Sequence, residues 1–227
     1  MQPHKPKPPI TKQYLIVGEG TRDGKFLEEL CKAHNITDFM VEDAGAGNSS
    51  FQQYFEGLLG RSGLSQLKGV VVMSDNDESP DDSFKKVRVQ LKKAGVPYPE
   101  NPYVVVRDKL NDFALAVLMI PQPSCNSSKG CLETVILPAA KQRHEEIAKC
   151  AAAFESCVGV ESWPKLSGRD KFRLRCILSA ANPDDPNIGI HIALEPSKNL
   201  ISLLDPCFEP IVRFLRDFPE EVSKLGQ

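Results

Sequence analysis

The sequence predicts an α/β protein with a mostly parallel sheet flanked by helices, followed by a mainly helical C-terminal part. Short apolar runs alternate with segments of helical periodicity, and the central runs are rich in valine without polar alternation. Strands that are apolar on both faces are typical of parallel sheets covered on both sides by helices. After residue 130 the chain is rich in Ala, Glu and Lys and shows no convincing strand before Gly159.

The individual elements follow from the same patterns. We expect strands at residues 14–17, 39–41, 69–73, 103–106 and 113–120. We expect a helix after the first strand, where Phe26, Leu27 and Leu30 recur at helical spacing, and further helices at 51–59, 85–94 and 208–218. Residues 182–187 are rich in Asn, Asp and Pro and predict a turn inside the helical part.

We divide the chain into a flexible tail (1–12), an α/β domain (13–123) and a helical extension packed on that domain (124–227). The tail is polar and proline-rich, so it offers little apolar surface to a core, and we expect its removal to leave folding intact.

Composition excludes several classes of protein. The formal charge of −2 excludes binding of nucleic acid by bulk positive charge, so a polyanion must meet a local basic patch. The seven cysteines are scattered and lack the close pairs of a zinc site, which favours free thiols in a reducing cytosol. No apolar run is long enough to span a bilayer, so we expect a cytoplasmic protein without a membrane partner.

Acidic residues follow two of the predicted strands. Glu19 lies in a Gly-Glu-Gly turn after the first strand, and Asp75 and Asp77 come directly after the strand at 69–73. The carboxyl ends of parallel strands share one edge of a sheet, where such proteins bind ligands. Carboxylate oxygens suit Mg²⁺ or Mn²⁺. The alternative for Asp75 and Asp77 is a surface turn or a helix cap, positions that Asp favours.

A glycine pattern in the same place offers a different hypothesis. Gly18, Gly20 and Gly24 superficially match a dinucleotide-binding loop, and Glu42 would then bind the ribose of a nicotinamide cofactor. The loop carries two carboxylates of its own, however, which repel a pyrophosphate. This hypothesis is therefore disfavoured.

These motifs resemble the TOPRIM fold of topoisomerases, primases and overcoming-lysogenization-defect (OLD) nucleases over residues 14–120. Glu19 matches the family glutamate, Asp75 and Asp77 match the aspartate pair, and Asp23 matches the Glu-x-x-x-Asp spacing of OLD-type nucleases. Residues 130–134, Asp170-Lys171 and the ending at 208–218 resemble small stand-alone TOPRIM proteins of prokaryotes. The resemblance implies Mg²⁺ or Mn²⁺ as the cofactor.

Two further features extend the candidate site. Glu133 opens a helix and is either an additional metal ligand or a favourable acid in a first helical turn. A basic stretch either contacts a nucleic-acid backbone and stabilises a transition state or is a solvated helix face, and Lys171 is our candidate within it. The stretch comprises Lys165, Arg169, Lys171, Arg173 and Arg175. A second basic group, Lys85, Lys86, Arg88, Lys92 and Lys93, is expected to be the solvent side of a helix and is assigned no role.

The sequence thus predicts a metal-dependent phosphodiester hydrolase, nuclease-like, that acts on DNA or RNA. Glu19 and Lys171 are the expected catalytic residues, and Glu19, Asp23, Asp75, Asp77 and Glu133 are the expected metal ligands. The alternative is a non-catalytic TOPRIM module that binds phosphate groups or a protein partner, because fold does not imply function. A homo-oligomer is compatible with either hypothesis.

Overall fold

The structure, a computed structural model, describes residues 7–45, 49–107, 110–123 and 128–226. Its strands and α-helices are, in chain order, β1 (Tyr14–Gly18), α1 (Thr21–Ala33), β2 (Phe39–Asp43), α2 (Ser50–Leu58), β3 (Gly69–Asp75), α3 (Pro80–Lys93), β4 (Ala114–Ile120), α4 (Leu132–Arg143), α5 (Glu145–Val158), α6 (Leu166–Ala181), α7 (Ile190–Ala193) and α8 (Glu209–Lys224). Short 3-10 turns lie between some of them.

The four strands form one parallel sheet in the order β2-β1-β3-β4. This confirms the predicted α/β class. The strand predicted at 103–106 is wrong: Val106 forms only an isolated antiparallel bridge with Leu115. Tyr103 has a φ of 67°, which an extended strand does not allow. The apolar character of this segment instead reflects packing of a loop along β4.

Both faces of the sheet are covered, as expected from the apolar strands. On β3, Val70 and Val72 point to one core with α2 and α3, whereas Val71 and Met73 point to the other. This second, larger core contains residues of α1, α4, α6 and α8. The side-chain period of two therefore distributes each strand between the two layers.

The predicted helical C-terminal part is confirmed, and it packs on the sheet. Phe218 of α8 lies with its ring centroid 6.0 Å from those of Tyr14 and Phe39. The turn predicted at 182–187 follows the end of α6. No helix within the described ranges is long and apolar enough to cross a membrane.

The N-terminal tail is attached to the domain over the part that the structure describes. Ile10 is only 2% exposed and its N–H group donates to the carbonyl oxygen of Ser62 at 2.9 Å. Lys7 donates to the carbonyl oxygen of Asp43 at 2.6 Å. The described part of the predicted tail (1–12) thus contributes one side chain to the core, because Ile10 fills a gap there, and the flexibility of the tail stays a prediction. Residues 1–6 lie outside the described ranges, as does part of the predicted domain boundary, at 124–127.

Candidate metal centre

The predicted acidic residues share one edge of the sheet. Glu19 follows β1, Asp75 ends β3, and these two strands are neighbours that run parallel. The hydroxyl group of Ser74 donates a hydrogen bond of 2.7 Å to Oε2 of Glu19, which links the two turns directly. Glu19 and Asp77 are exposed, and Asp75 is partly buried. The topology thus places all three at the carboxyl edge that the sequence indicated.

The turn after β1 is shaped by close approach of α1 to the strand end. A Cβ atom on Gly18 would lie 2.7 Å from Cβ of Asp23 and 2.9 Å from the backbone nitrogen of Gly24. The N–H group of Gly20 donates to Oδ2 of Asp23 at 2.8 Å, which caps the start of α1. Gly18 is thus required for packing, and Asp23 is directed back towards Glu19.

Asp75 lies at the centre of the acidic group. Its Oδ1 accepts the N–H group of Leu132 at 2.9 Å, in the first turn of α4. Desolvation raises the pKa of Asp75 well above its usual value, and the surrounding carboxylates raise it further. Those carboxylates are Asp23, Glu133, Glu19 and Asp77. For Asp23, desolvation together with Glu19 and Glu133 raises the pKa to about 6, despite the hydrogen bond from Gly20.

The loop after β3 is fixed to the segment that precedes α4. The N–H group of Gly130 donates to the carbonyl oxygen of Asp77 at 2.8 Å, and Asp77 adopts a φ of 47°, a conformation that Asp tolerates better than most residues. The buried Asn76 donates through its side chain to the carbonyl oxygen of Pro121 at 2.7 Å. These contacts bring the beginning of α4 to the edge of the sheet.

Glu133 in α4 therefore joins the acidic group. It is 5% exposed, and its Oε2 accepts a hydrogen bond of 3.0 Å from the thiol of Cys131. Its Oε1 lies 3.7 Å from Nη1 of Arg22, which the sequence reasoning overlooked. The sequence did contain a signal for its role, because Arg22 is the basic residue in the turn that carries Glu19 and Asp23.

The basic stretch in α6 separates into two groups. Lys171 and Arg175 line a small cavity of about 120 Å³ together with Arg22 and Glu133. Burial lowers the pKa of Lys171, but the nearby acidic groups, Glu133 first among them, outweigh it and leave the pKa raised. Lys171 therefore lies within the field of the acidic group.

Two arginines of the same stretch have structural roles. Arg173 donates to Glu155 at 2.8 Å and to Asp170 at 3.2 Å, and Arg169 pairs with Glu161 at 3.2 Å. Neither lines the small cavity beside Glu133. Lys165 is exposed just before α6 begins. Arg169 and Arg173 are partly buried and paired with acids, so these two residues do not form a solvated helix face.

The residues fit a hard divalent cation by their chemistry, although they form no ready coordination sphere. The donors are carboxylate oxygens, which Mg²⁺ and Mn²⁺ prefer, and the mutual repulsion around Asp75 is the condition that a bound cation relieves. Within the described parts of the chain, no group of three or more His, Cys, Asp or Glu side chains is arranged so that it could hold a metal ion. The ligand set stays a prediction.

Glu42, which the nicotinamide hypothesis assigns to the ribose, has other partners in the structure. Glu42 accepts hydrogen bonds from Arg61 at 2.5 Å and 2.9 Å and from the hydroxyl group of Tyr54 at 2.7 Å. Its carboxylate is thus committed to a partly buried network on β2. Because the N–H group of Gly20 is also engaged by Asp23, the glycine turn offers little to a pyrophosphate.

Comparison with known proteins adds a family. Residues 12–220 match the family described as protein of unknown function (DUF3226). The chain belongs to this family. The matched residues of this DUF3226 protein include the whole parallel sheet and nearly all of the helical C-terminal part. No curated protein and no solved structure shows a significant match. The TOPRIM resemblance therefore stays a prediction, and function has to be inferred from the site.

Proposed function

We propose that the protein is a metal-dependent phosphodiester hydrolase that acts on DNA or RNA. One observation carries the proposal: four carboxylates from three separate segments surround Asp75 at the carboxyl edge of a parallel sheet. Like charges destabilise a fold when nothing balances them, so an arrangement of this kind is typical of cation sites. The TOPRIM resemblance of the same residues supports the same chemistry.

Glu19, Asp75 and Asp77 would hold the cation, with Asp23 and Glu133 as further ligands. A divalent cation at this edge would polarise the phosphoryl group and neutralise charge that develops on its oxygens. The chain keeps these ligands in place through the N–H group of Leu132 and the hydroxyl group of Ser74.

Two side chains would perform the remaining chemistry. Glu19 is exposed and takes the proton of an attacking water while the water oxygen forms the new bond to phosphorus. The bond to the leaving oxygen breaks, and the positive charge of Lys171 stabilises the negative charge that develops in the transition state.

A second candidate function is phosphate binding without catalysis. The absence of a ready coordination sphere among the described residues favours it. So does the cavity of about 120 Å³, where Arg22, Lys171 and Arg175 face a single acid, Glu133. Such a module would bind a phosphate group through its cations and use the carboxylates for orientation.

Cleavage assays distinguish the two functions. Purified wild type, Glu19→Gln and Lys171→Ala are incubated with plasmid, linear DNA, single-stranded DNA and RNA, each with Mg²⁺, Mn²⁺ or chelator. Lys149→Ala is the matched control, since Lys149 is an exposed helical lysine whose ion pairs, among the residues that the structure describes, are with Glu145 and Glu146 of its own helix.

We expect Glu19→Gln to abolish cleavage, Lys171→Ala to slow it by about 10²-fold, and Lys149→Ala to cleave as wild type does. A wild type that cuts no substrate with either metal would favour the phosphate-binding module. Cleavage by Glu19→Gln at the wild-type rate would refute the site assignment.

A further inference from the structure

A groove of about 920 Å³ begins at the acidic edge and continues along α3. Glu19, Asp75 and Asp77 line one end of it, and the charged residues that line the part formed by α3 are Asp82, Lys85, Lys86 and Lys93. Opposite α3, the groove is bounded by the first turn of α2, whose Phe51 N–H group donates to the side-chain oxygen of Gln90 at 3.1 Å. The groove thus connects the candidate metal centre to a row of lysines.

The five basic residues of α3 divide into two groups. Those that do not line the groove have partners: Arg88 pairs with Glu100, and Nζ of Lys92 lies 5.9 Å from the ring centre of Tyr98. Those that line the groove are exposed, and within the described ranges none of them has an ion-pair partner. Elsewhere, exposed helical lysines such as Lys32 and Lys224 pair with glutamates of their own helix.

On α3 three lysines face one acid, Asp82, which already accepts a hydrogen bond of 2.7 Å from Ser79. This excess of positive charge beside the carboxylate centre indicates an anionic ligand that extends along the groove. Lys86 and Lys93 are seven residues apart, about 10 Å along the helix, so the row of positive charges is longer than a single phosphate ion. A chain of phosphates matches such a row better. Among the described lining residues the aromatic one, Phe51, is 1% exposed and offers no ring for stacking. Contacts in this groove are therefore directed to a backbone and carry no base preference.

We propose that this groove binds the sugar–phosphate backbone of single-stranded nucleic acid and leads it to Asp75. The inference rests on the proposed function, because it supplies the substrate to the same acidic edge. A single strand fits better than a duplex, because α2 and α3 pack against each other and the groove is a depression in their joint surface, which a flexible backbone can follow down to Asp75.

Binding in chelator tests the proposal without any contribution from cleavage. Fluorescein-labelled strands of about 12 nucleotides, oligo-dT and oligo-U, are titrated with protein in EDTA at about 50 to 200 mM salt, and anisotropy is recorded. The variants are the triple substitution Lys85→Ala, Lys86→Ala and Lys93→Ala, and the matched control Lys92→Ala on the same helix.

Three neutralised phosphates give a salt slope of about −2.1, so wild-type affinity should fall about 18-fold between about 50 and 200 mM salt. The triple variant should bind at least about tenfold more weakly at the lowest salt, with a slope near zero. Lys92→Ala should match wild type. Melting curves establish that the triple variant is folded, which we expect because the three lysines are exposed.

Wild-type affinity and slope in the folded triple variant would overturn the proposal. So would duplex binding as tight as single-strand binding, or equal competition by a polyglutamate peptide. The comparison of oligo-dT with oligo-U assigns DNA or RNA as the strand. Cleavage by wild type together with unchanged binding in the triple variant refutes the groove and leaves the hydrolase standing. If binding depends on the three lysines but the protein never cleaves, the groove is supported and the hydrolase is refuted.

Discussion

Replacement of Gly18 by alanine tests whether the glycine turn exists for packing. A Cβ atom at Gly18 would lie 2.7 Å from Cβ of Asp23 and 2.9 Å from the nitrogen of Gly24, whereas non-bonded carbon atoms prefer about 3.5–4.0 Å. The start of α1 must therefore move by about 1 Å. Neither clashing atom is the far end of a flexible side chain, so the shift involves the backbone that positions Glu19.

The expected cost is that of an overpacked core, about 1–3 kcal/mol. For a chain of this size the melting temperature should fall by about 2–12 °C. Gly20→Ala is the matched control in the same turn, because its nearest contact would be Oδ2 of Asp23 at 3.5 Å and its φ of −139° suits alanine. Its cost should stay below about 1 kcal/mol, the loss of a favourable helix-capping residue.

Thermal unfolding in chelator measures both variants against wild type. We expect the melting temperature to fall clearly in Gly18→Ala and only slightly in Gly20→Ala. Equal melting temperatures for Gly18→Ala and wild type would refute the packing argument. A larger loss for Gly20→Ala would indicate that the turn is shaped by its second glycine and that the first is dispensable.

Two further predictions concern stability. Ile10→Ala should cost about 3 kcal/mol and lower the melting temperature by about 6–12 °C, because Ile10 is 2% exposed in the core formed by α2 and α3. An unchanged melting curve would show that the N-terminal segment around Ile10 does not pack on the domain. Burial raises the pKa of Glu42, but hydrogen bonds from Arg61 and Tyr54 outweigh it and leave the pKa lowered. Glu42→Gln should therefore cost about 1.5–3 kcal/mol at pH 7. The deficit should shrink as the pH falls through the lowered pKa of Glu42, because the wild-type carboxylate then becomes protonated and loses its advantage over the amide. Urea unfolding at several pH values measures the deficit, and a deficit that stays constant would contradict the account.

Much of the sheet and its acidic edge follows from the sequence. Strand β3 is apolar without alternation and ends in Asp75, so both its burial and the position of its carboxylate are local properties of the chain. The position of Glu19 could be predicted in the same way, because Glu19 comes directly after the apolar strand β1. Once the strands are parallel, their carboxyl ends must meet, which is why the edge could be predicted without knowledge of any distance.

Other features depend on contacts between distant segments. Ile10 has polar and proline neighbours, and only the gap near Ser62 makes it a core residue. The segment at 103–106 resembles a strand because β-favouring residues also suit a loop that packs along β4.

The lysines of α3 show a related limit of sequence reasoning. They were interpreted as a solvent face, since periodicity separates buried from exposed positions but does not indicate which exposed side faces a groove. Only the fold distinguishes Lys86 and Lys93, which lie along the groove, from Lys92.

The central claim is that the acidic edge binds a divalent metal ion, and calorimetric titration with Mn²⁺ tests it most directly. Wild type is compared with Asp75→Asn and with the control Asp81→Asn, an exposed acid in the first turn of α3. The account predicts saturable binding in wild type and in Asp81→Asn, and its loss in Asp75→Asn with the fold intact in chelator. Mn²⁺ binding of equal affinity and stoichiometry in Asp75→Asn would contradict it.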